Sequence, residues 1–204
     1  MSHIDFQLNG QAVQARADET LWDTAKRLGI DIPHLCHKPG YRPDGNCRAC
    51  VVEIEGERTL APSCCRAPQA GMVVHTDSAR ARKSQQMVLE MLLADMPVTG
   101  QKWLDGDDQR PHGELSAWAS RWGVEVRPSL QALSASGASS NGSHDATPHT
   151  SPVAASPSSN TCAEVARPSL HDDSHPAMVV NLEACIQCDR CVRACREEQV
   201  NGVI

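Results

Sequence analysis

The chain is poor in aromatic residues, in basic charge and in long apolar runs, and each shortage excludes a class of protein. Aromatic residues make up 3% of its 204 residues, too few for a large aromatic core. It has 19 basic and 25 acidic residues, so no basic surface suggests a nucleic acid or an anionic membrane as partner. No run of about 18 apolar residues could span a bilayer. The N-terminal MSHIDFQLNG lacks the features of a signal peptide, and we expect a cytoplasmic protein.

Cysteine is the residue type that stands out. The chain has ten cysteines, and stable disulfides are rare in the cytoplasm, so metal binding or redox chemistry is indicated. Nine of them form two separate clusters in the sequence, and Cys162 stands alone. The clusters are Cys36, Cys47, Cys50, Cys64 and Cys65, and then Cys185, Cys188, Cys191 and Cys195. Cysteines scattered through a hydrophobic core would not be grouped in this way.

Residues 1–78 are predicted to form a compact domain of strands and one helix. Strands are expected at His3–Leu8, Gln11–Ala15, Val51–Ile54 and Met72–His75. The dipeptide Asn9–Gly10 between the first two is typical of a tight hairpin. A helix should begin after Asp18 and end at Gly29. This order of elements predicts the α+β class and a β-grasp domain.

The rest of the chain divides into three segments by composition. Residues 79–128 are predicted to be helical, with the first helix at Ala79–Asp95 and an apolar face that includes Val88, Met91 and Leu92. Residues 129–175 are rich in Ser, Ala, Pro and Gly, and they cannot bury enough apolar area to offset the entropy of ordering. We therefore expect a disordered, flexible linker there. Residues 176–204 contain the second cysteine cluster.

The first cysteine cluster has the spacing C-x10-C-x2-C-x13-C through Cys36, Cys47, Cys50 and Cys64, and the adjacent Cys65 is an alternative fourth ligand. Four soft thiolates suit an iron–sulfur cluster, and also zinc. The loop between the first two, HKPGYRPDGN, has two Pro and two Gly, which would let backbone amides turn toward the sulfurs. Spacing alone does not decide between Cys64 and Cys65.

The second cysteine cluster has the spacing C-x2-C-x2-C-x3-C, the run typical of bacterial [4Fe–4S] ferredoxins. In such runs the fourth cysteine, here Cys195, ligates the other cluster of a pair. The usual Pro after it is replaced by Arg196. The ligand set is therefore incomplete within the chain, and we expect the chain to be the N-terminal part of a longer subunit. Cys195 serving the first of the two clusters remains an alternative.

Three stretches carry a family resemblance. PHLCHKPGYRPDGNCRACVVEIEG and APSCCRAPQAGMVVHT resemble the N-terminal [2Fe–2S] domain shared by the complex I large iron–sulfur subunit, NAD-reducing hydrogenases and NAD-dependent formate dehydrogenases. HPAMVVNLEACIQCDRCVRACREEQVNGVI is most similar to the alpha subunit of those formate dehydrogenases. The resemblance implies Cys64 as the fourth [2Fe–2S] ligand. The family's one-His, three-Cys [4Fe–4S] motif is missing, since residues 79–128 contain no cysteine and only His112.

The resemblance implies an electron relay within an NAD-linked formate dehydrogenase-type oxidoreductase. Flavin- or NAD-binding subunits and other iron–sulfur subunits would be its partners. No Gly-rich phosphate loop or other catalytic motif is visible in the chain, so no catalytic residue is predicted. Two alternatives are an electron-transfer subunit of a hydrogenase or complex I-like enzyme, and a zinc-stabilised interaction module.

Overall fold

A computed structural model describes residues 3–96, 113–130, 171–175, 178–182 and 184–200. The strands are β1 His3–Leu8, β2 Gln11–Arg16, β3 Val51–Ile54, β4 Ala61–Pro62, β5 Val73–His75, β6 His171–His175 and β7 Met178–Asn181. The helices are α1 Leu21–Arg27, α2 Ala79–Ala94, α3 Gly113–Trp122 and α4 Arg190–Arg193, and α4 continues as a π-helical turn over Ala194–Glu198. No helix within these ranges is long and apolar enough to cross a membrane.

Strands β1 to β5 form one mixed sheet in the order β2-β1-β5-β3-β4. β1 pairs antiparallel with β2 and parallel with β5, so the first and last strands of the domain lie side by side at its centre. The hairpin turn places Asn9 and Gly10 at φ of 50° and 79°, the left-handed conformation that such a turn requires. The sheet order agrees with the predicted β-grasp domain.

Helix α1 covers one face of this sheet. It begins at Thr20, whose side chain accepts a hydrogen bond from the Asp23 amide while the Asp23 carboxylate accepts one from the Thr20 amide. This reciprocal capping box satisfies two amides that the first turn would otherwise leave without partners. The buried core between helix and sheet is mostly aliphatic: Phe6, Leu8, Ala15, Leu21, Trp22, Ala25, Ile32, Val52, Ile54, Met72 and Val74.

Four of the five strands of this sheet, and helices α1 and α2, lie close to their predicted bounds. Strand β4 was not predicted, because two residues are too few to produce an alternating pattern. The expected apolar face of α2 was partly wrong. Met91 is exposed, whereas Leu89 is buried and Gln85 donates hydrogen bonds to the Val51 and Thr76 carbonyl oxygens at 2.8 and 3.3 Å.

Helices α2 and α3 enclose a second, smaller apolar cluster outside the sheet. Its buried members are Leu35, Ala49, Leu89 and Leu115, and Trp118 and Trp122 pack against them. Leu35 and Ala49 lie in the long connection between α1 and β3, so the helices pack directly against the segment that contains the first cysteines. The helical segment therefore supports the cysteine loop rather than forming a separate domain.

The C-terminal part differs from the predicted boundaries at one point. Residues 171–175 were assigned to the linker, but they form β6, which pairs antiparallel with β7. The cause is the composition, because HDDSH is polar and has no strand pattern of its own. Residues 129–130 of the predicted linker belong to a helical turn. Residues 131–170 lie outside the described residues, and their disorder stays a prediction.

Candidate iron–sulfur site

The first cysteine cluster lies at one end of the sheet. Cys36 and Cys47 belong to the connection between α1 and β3, Cys50 directly precedes β3, and Cys64 follows β4. Pairing of β3 with β4 brings Cys50 and Cys64 together, although thirteen residues separate them in the chain. Cys36, Cys50 and Cys64 are fully buried and Cys47 is half-buried.

The four sulfurs converge. The Cys50 and Cys64 Sγ atoms are 3.4 Å apart, and the Cys36 thiol is within hydrogen-bonding reach of the Cys47 and Cys64 thiols. Convergence of four thiols in a buried pocket has no packing advantage over apolar side chains. It is, however, the arrangement that a cofactor with four thiolate ligands requires.

Backbone amides point at these sulfurs, as the composition of the loop predicted. The Cys36 amide donates to Cys47 Sγ at 3.4 Å, and the Cys47 amide donates to Cys36 Sγ at 3.5 Å. Gly45 and Arg48 take φ of 66° and 57°, which turns the chain tightly around the ligands. Amide donors stabilise negative charge on sulfur, so the loop favours thiolates and would tune a bound cluster.

The thiols interact as donor and acceptor pairs. Hydrogen bonding with Cys47 lowers the pKa of Cys36, and hydrogen bonding with Cys64 lowers the pKa of Cys50 to about 7. The pKa values of Cys47 and Cys64 are raised in turn, chiefly through hydrogen bonding with Cys36. Thiolate is the form that ligates metal, so the lowered pKa values of Cys36 and Cys50 favour ligation.

Cys64 and Cys65 are placed very differently. Cys64 is fully buried among the other sulfurs, whereas Cys65 is exposed with its Sγ 3.6 Å from that of Cys64. Gly45 packs against Cys65, and a Cβ at Gly45 would lie 2.9 Å from the Cys65 sulfur. Cys65 thus borders the outer side of the loop, while Cys64 faces the pocket.

Comparison with known proteins agrees with this geometry. Residues 2–79 match the family model of the 2Fe-2S iron-sulfur cluster binding domain. The N-terminal segment is a [2Fe–2S] domain.

Relatives of the whole chain include components of two kinds of enzyme. The chain is 28% identical to an NADP-reducing hydrogenase subunit of Solidesulfovibrio fructosivorans, over 100% of the chain and 29% of that protein. It is 30% identical to an NADH-quinone oxidoreductase subunit of Rhizobium meliloti, over 95% of the chain and 19% of that protein. The chain therefore spans less than a third of the length of these curated relatives.

A solved structure extends the likeness beyond the [2Fe–2S] domain. An NAD+-reducing [NiFe]-hydrogenase in the H2-reduced state matches with a TM-score of 0.64 and 26% identity, over 96% of this chain and 67% of that chain. The likeness in fold thus extends beyond residues 2–79.

The residues of the [2Fe–2S] domain suit its cluster. Three of the four converging thiols are buried, the donor set is all sulfur, and amides supply hydrogen bonds to two of the sulfurs. Within the described ranges, no group of three or more His, Cys, Asp or Glu side chains is positioned to hold a single metal ion. The two histidines beside Cys36 are packing residues: the His34 and His37 rings lie 4.6 and 4.5 Å from the Trp22 ring.

The second cysteine cluster has no comparable pocket. Cys185 and Cys191 are exposed, Cys188 is half-buried, and only Cys195 is buried. The Gln187 amide donates to Cys185 Sγ at 3.4 Å. Cys162 lies outside the described residues. A [4Fe–4S] cluster at this cysteine run therefore stays a prediction.

Sequence reasoning missed two arginines that bind the C-terminal cysteine run to the [2Fe–2S] domain. Arg190 donates to the His37 carbonyl oxygen at 2.8 Å and pairs with Glu114. Arg193 is 5% exposed and donates to the carbonyl oxygens of Cys36 and of Arg42. The available signal was their spacing, because residues three apart share one face of a helix.

Proposed function

We propose that the chain is an electron-relay segment whose [2Fe–2S] cluster is bound by Cys36, Cys47, Cys50 and Cys64. The observation that carries the proposal is the convergence of these four sulfurs within the [2Fe–2S] domain. Cys64 is preferred to Cys65 because it is buried beside Cys50, whereas Cys65 is exposed. When bound, such a cluster accepts and releases one electron at a time.

The residues of the chain would hold the cluster and set its reduction potential. The four thiolates ligate it, and the amides of Cys36 and Cys47 donate to the ligand sulfurs. The second apolar cluster, which includes the buried Leu35 and Ala49, packs against Cys47. Hydrogen bonds to sulfur and solvent exposure are two of the means by which a protein adjusts such a potential.

A second relay site is proposed at Cys185, Cys188, Cys191 and Cys195. Its support is the spacing of the four thiols, which is typical of a [4Fe–4S] ferredoxin run. Cys185 and Cys191 are exposed, which fits a ligand set that further residues would have to complete. The N-terminal and C-terminal sites together would form part of an electron path.

The parent enzyme is proposed to be an NAD-linked oxidoreductase with flavin- or NAD-binding and other iron–sulfur subunits as partners. Similarity of the C-terminal stretch favours a formate dehydrogenase type. A hydrogenase or NADH-quinone oxidoreductase type is supported equally by the relatives named above. The genes beside this one would distinguish them: a molybdenum-pterin subunit, a nickel–iron subunit or a set of quinone-reductase subunits would each indicate one parent.

The absorption spectrum of the purified full chain, after anaerobic reconstitution with iron and sulfide, tests the proposal. We expect a broad visible absorption that dithionite bleaches, and an electron paramagnetic resonance signal of a reduced [2Fe–2S] cluster. A colourless protein that retains stoichiometric zinc would contradict the electron-relay proposal and favour the interaction module.

A further inference from the structure

The C-terminal cysteine segment, residues 184–200, contacts the ligand loop of the [2Fe–2S] domain through one deeply buried side chain. The Arg193 guanidinium donates to the Cys36 carbonyl oxygen, to the Arg42 carbonyl oxygen at 2.8 Å and to the Cys188 carbonyl oxygen at 3.3 Å. A single side chain thus binds the backbone of one residue from each cysteine cluster. The planar guanidinium presents several donors in a fixed fork, which suits it to make these bonds at once.

The charge of Arg193 is poorly balanced by its surroundings. Its side chain is 5% exposed, and the carboxylate of Asp44, which is itself partly exposed, lies 3.9 Å from Nε. Nε has no hydrogen-bond partner among the described residues, and the Tyr41 ring centroid lies 5.9 Å from the guanidinium carbon. A buried cation costs several kcal/mol unless negative charge compensates it. A cluster with four thiolates carries net negative charge and would supply that compensation beside Cys36.

Other contacts hold the same segment in place. Arg190 donates to the His37 carbonyl oxygen and pairs with Glu114. The side-chain amide of Asn46 donates to the Asp189 carboxylate at 2.9 Å. These contacts all reach residues of the ligand loop or of α3. The separation of the two cysteine clusters is therefore set by docking, and the chain between them need not be rigid.

We propose that Arg193 is a positioning residue that holds the C-terminal cysteine segment on the ligand loop and, through its buried charge, raises the reduction potential of the [2Fe–2S] cluster. The inference rests on the proposed [2Fe–2S] function. On reduction the cluster gains one electron from an external donor, and no bond or proton at Arg193 changes. The added negative charge interacts favourably with the guanidinium, so the reduced form is stabilised more than the oxidised form.

The test is a potentiometric titration of the reconstituted full chain, followed by the electron paramagnetic resonance signal of the reduced [2Fe–2S] cluster. Arg193→Met should shift the one-electron equilibrium toward the oxidised form by about tenfold, which corresponds to a potential lowered by about 59 mV. Arg193→Lys keeps the charge, so its potential should stay closer to that of the natural chain. Lys38→Gln is the matched control, because it removes a positive charge from the same loop at an exposed side chain.

A second readout separates the positioning role from the charge. Amide hydrogen exchange of residues 184–200 should accelerate at least tenfold in Arg193→Met and remain unchanged in Lys38→Gln. Unchanged exchange in Arg193→Met would overturn the positioning role. An unchanged potential, or an equal shift in Arg193→Met and Arg193→Lys, would overturn the role of the charge.

The outcomes distinguish this inference from the proposed function. A natural chain that takes up no iron–sulfur cluster would overturn both. A normal [2Fe–2S] cluster whose reduction potential does not depend on residue 193 would overturn the inference alone. If Arg193→Met takes up no cluster, Arg193→Lys decides, because a potential near that of the natural chain supports the inference and a shift beyond tenfold contradicts it.

Discussion

The two cysteine clusters of this chain share a ligand type and differ in almost everything around it. In the first, three thiols are fully buried, their sulfurs approach within hydrogen-bonding distance, and backbone amides point at them. In the second, two of the four thiols are exposed, one is half-buried and one is buried. The first site is preorganised by a sheet, a helix and a second apolar cluster. The second lies in a loop and a short helical segment that dock against the ligand loop of the first.

This difference shows that a cysteine spacing motif and a preorganised binding site are separate properties. The second cysteine cluster has the more recognisable spacing, yet the first has the more complete surroundings. Burial matters because a low-dielectric environment, with amides oriented in advance, fixes both the ligands and the potential of a cluster. A spacing motif supplies ligands only, and the rest of the fold must supply the environment.

The largest difference between the two sites should appear when one cysteine ligand is removed from the first. Cys47→Ser should abolish or severely perturb the [2Fe–2S] signal, because the half-buried Cys47 sulfur takes part in the converging set. Cys185→Ser, which removes an exposed thiol from the second run, should leave that signal intact. Electron paramagnetic resonance of the reduced proteins measures both. An unchanged spectrum in Cys47→Ser would refute the ligand assignment.

The adjacent residues Cys64 and Cys65 test the role of burial within the first site. Cys64→Ser should lose most of the visible absorption of the cluster, whereas Cys65→Ser should keep it, because only Cys64 is buried beside Cys50. Iron content per chain and the visible spectrum after reconstitution check this. The reverse result would make Cys65 the fourth ligand, and equal losses would mean that the two sulfurs exchange.

Substitutions in the N-terminal core and near the C-terminal cysteines should also differ in their effect on the free energy of unfolding. Leu8→Ala removes a side chain that is 1% exposed in the main core and should lower the free energy of unfolding by about 2–5 kcal/mol. Leu182→Ala, at a side chain that is 51% exposed near the C-terminal cysteines, should change it by no more than about 0.5 kcal/mol. Urea denaturation of the full chain, followed by circular dichroism, measures the difference. A comparable loss in both variants would show that the C-terminal segment has a core of its own.

Acid should have the smallest effect, confined to the N-terminal domain. Two hydrogen bonds from Arg27, at 2.8 and 2.9 Å, lower the pKa of Glu19 to about 2. Because this pKa is lower in the folded chain, the pair stabilises the fold above the usual carboxyl pKa and loses that contribution as pH falls toward 2.

Glu19→Gln should therefore lower stability at neutral pH by about 1 kcal/mol or less and flatten its decline between roughly pH 5 and pH 2. Melting temperatures across this range measure the effect. Asp18→Asn, at an exposed neighbouring carboxylate, is the control. A decline as steep in Glu19→Gln as in the natural chain would show that other carboxylates govern the response to acid.

Much of the fold could be predicted because its signals are local. Alternating polarity and Asn9–Gly10 indicated the first hairpin, and the capping residues indicated where α1 begins. Strand β4 was missed because two residues produce no pattern, and Met91 was placed on the wrong face of α2 because its environment depends on where the helix packs. The strand β6 was missed because its pairing with β7, and not its polar composition, defines it.

By itself the sequence determined the ligand type, the spacing of both cysteine clusters and the loop composition that turns amides toward Cys36 and Cys47. Only the tertiary structure decided which of Cys64 and Cys65 is buried, because that depends on the pairing of β3 with β4. It also decided that Arg193 lies against the carbonyl oxygen of Cys36. Contacts between residues so distant in the chain follow from how the elements pack, and no local pattern contains that information.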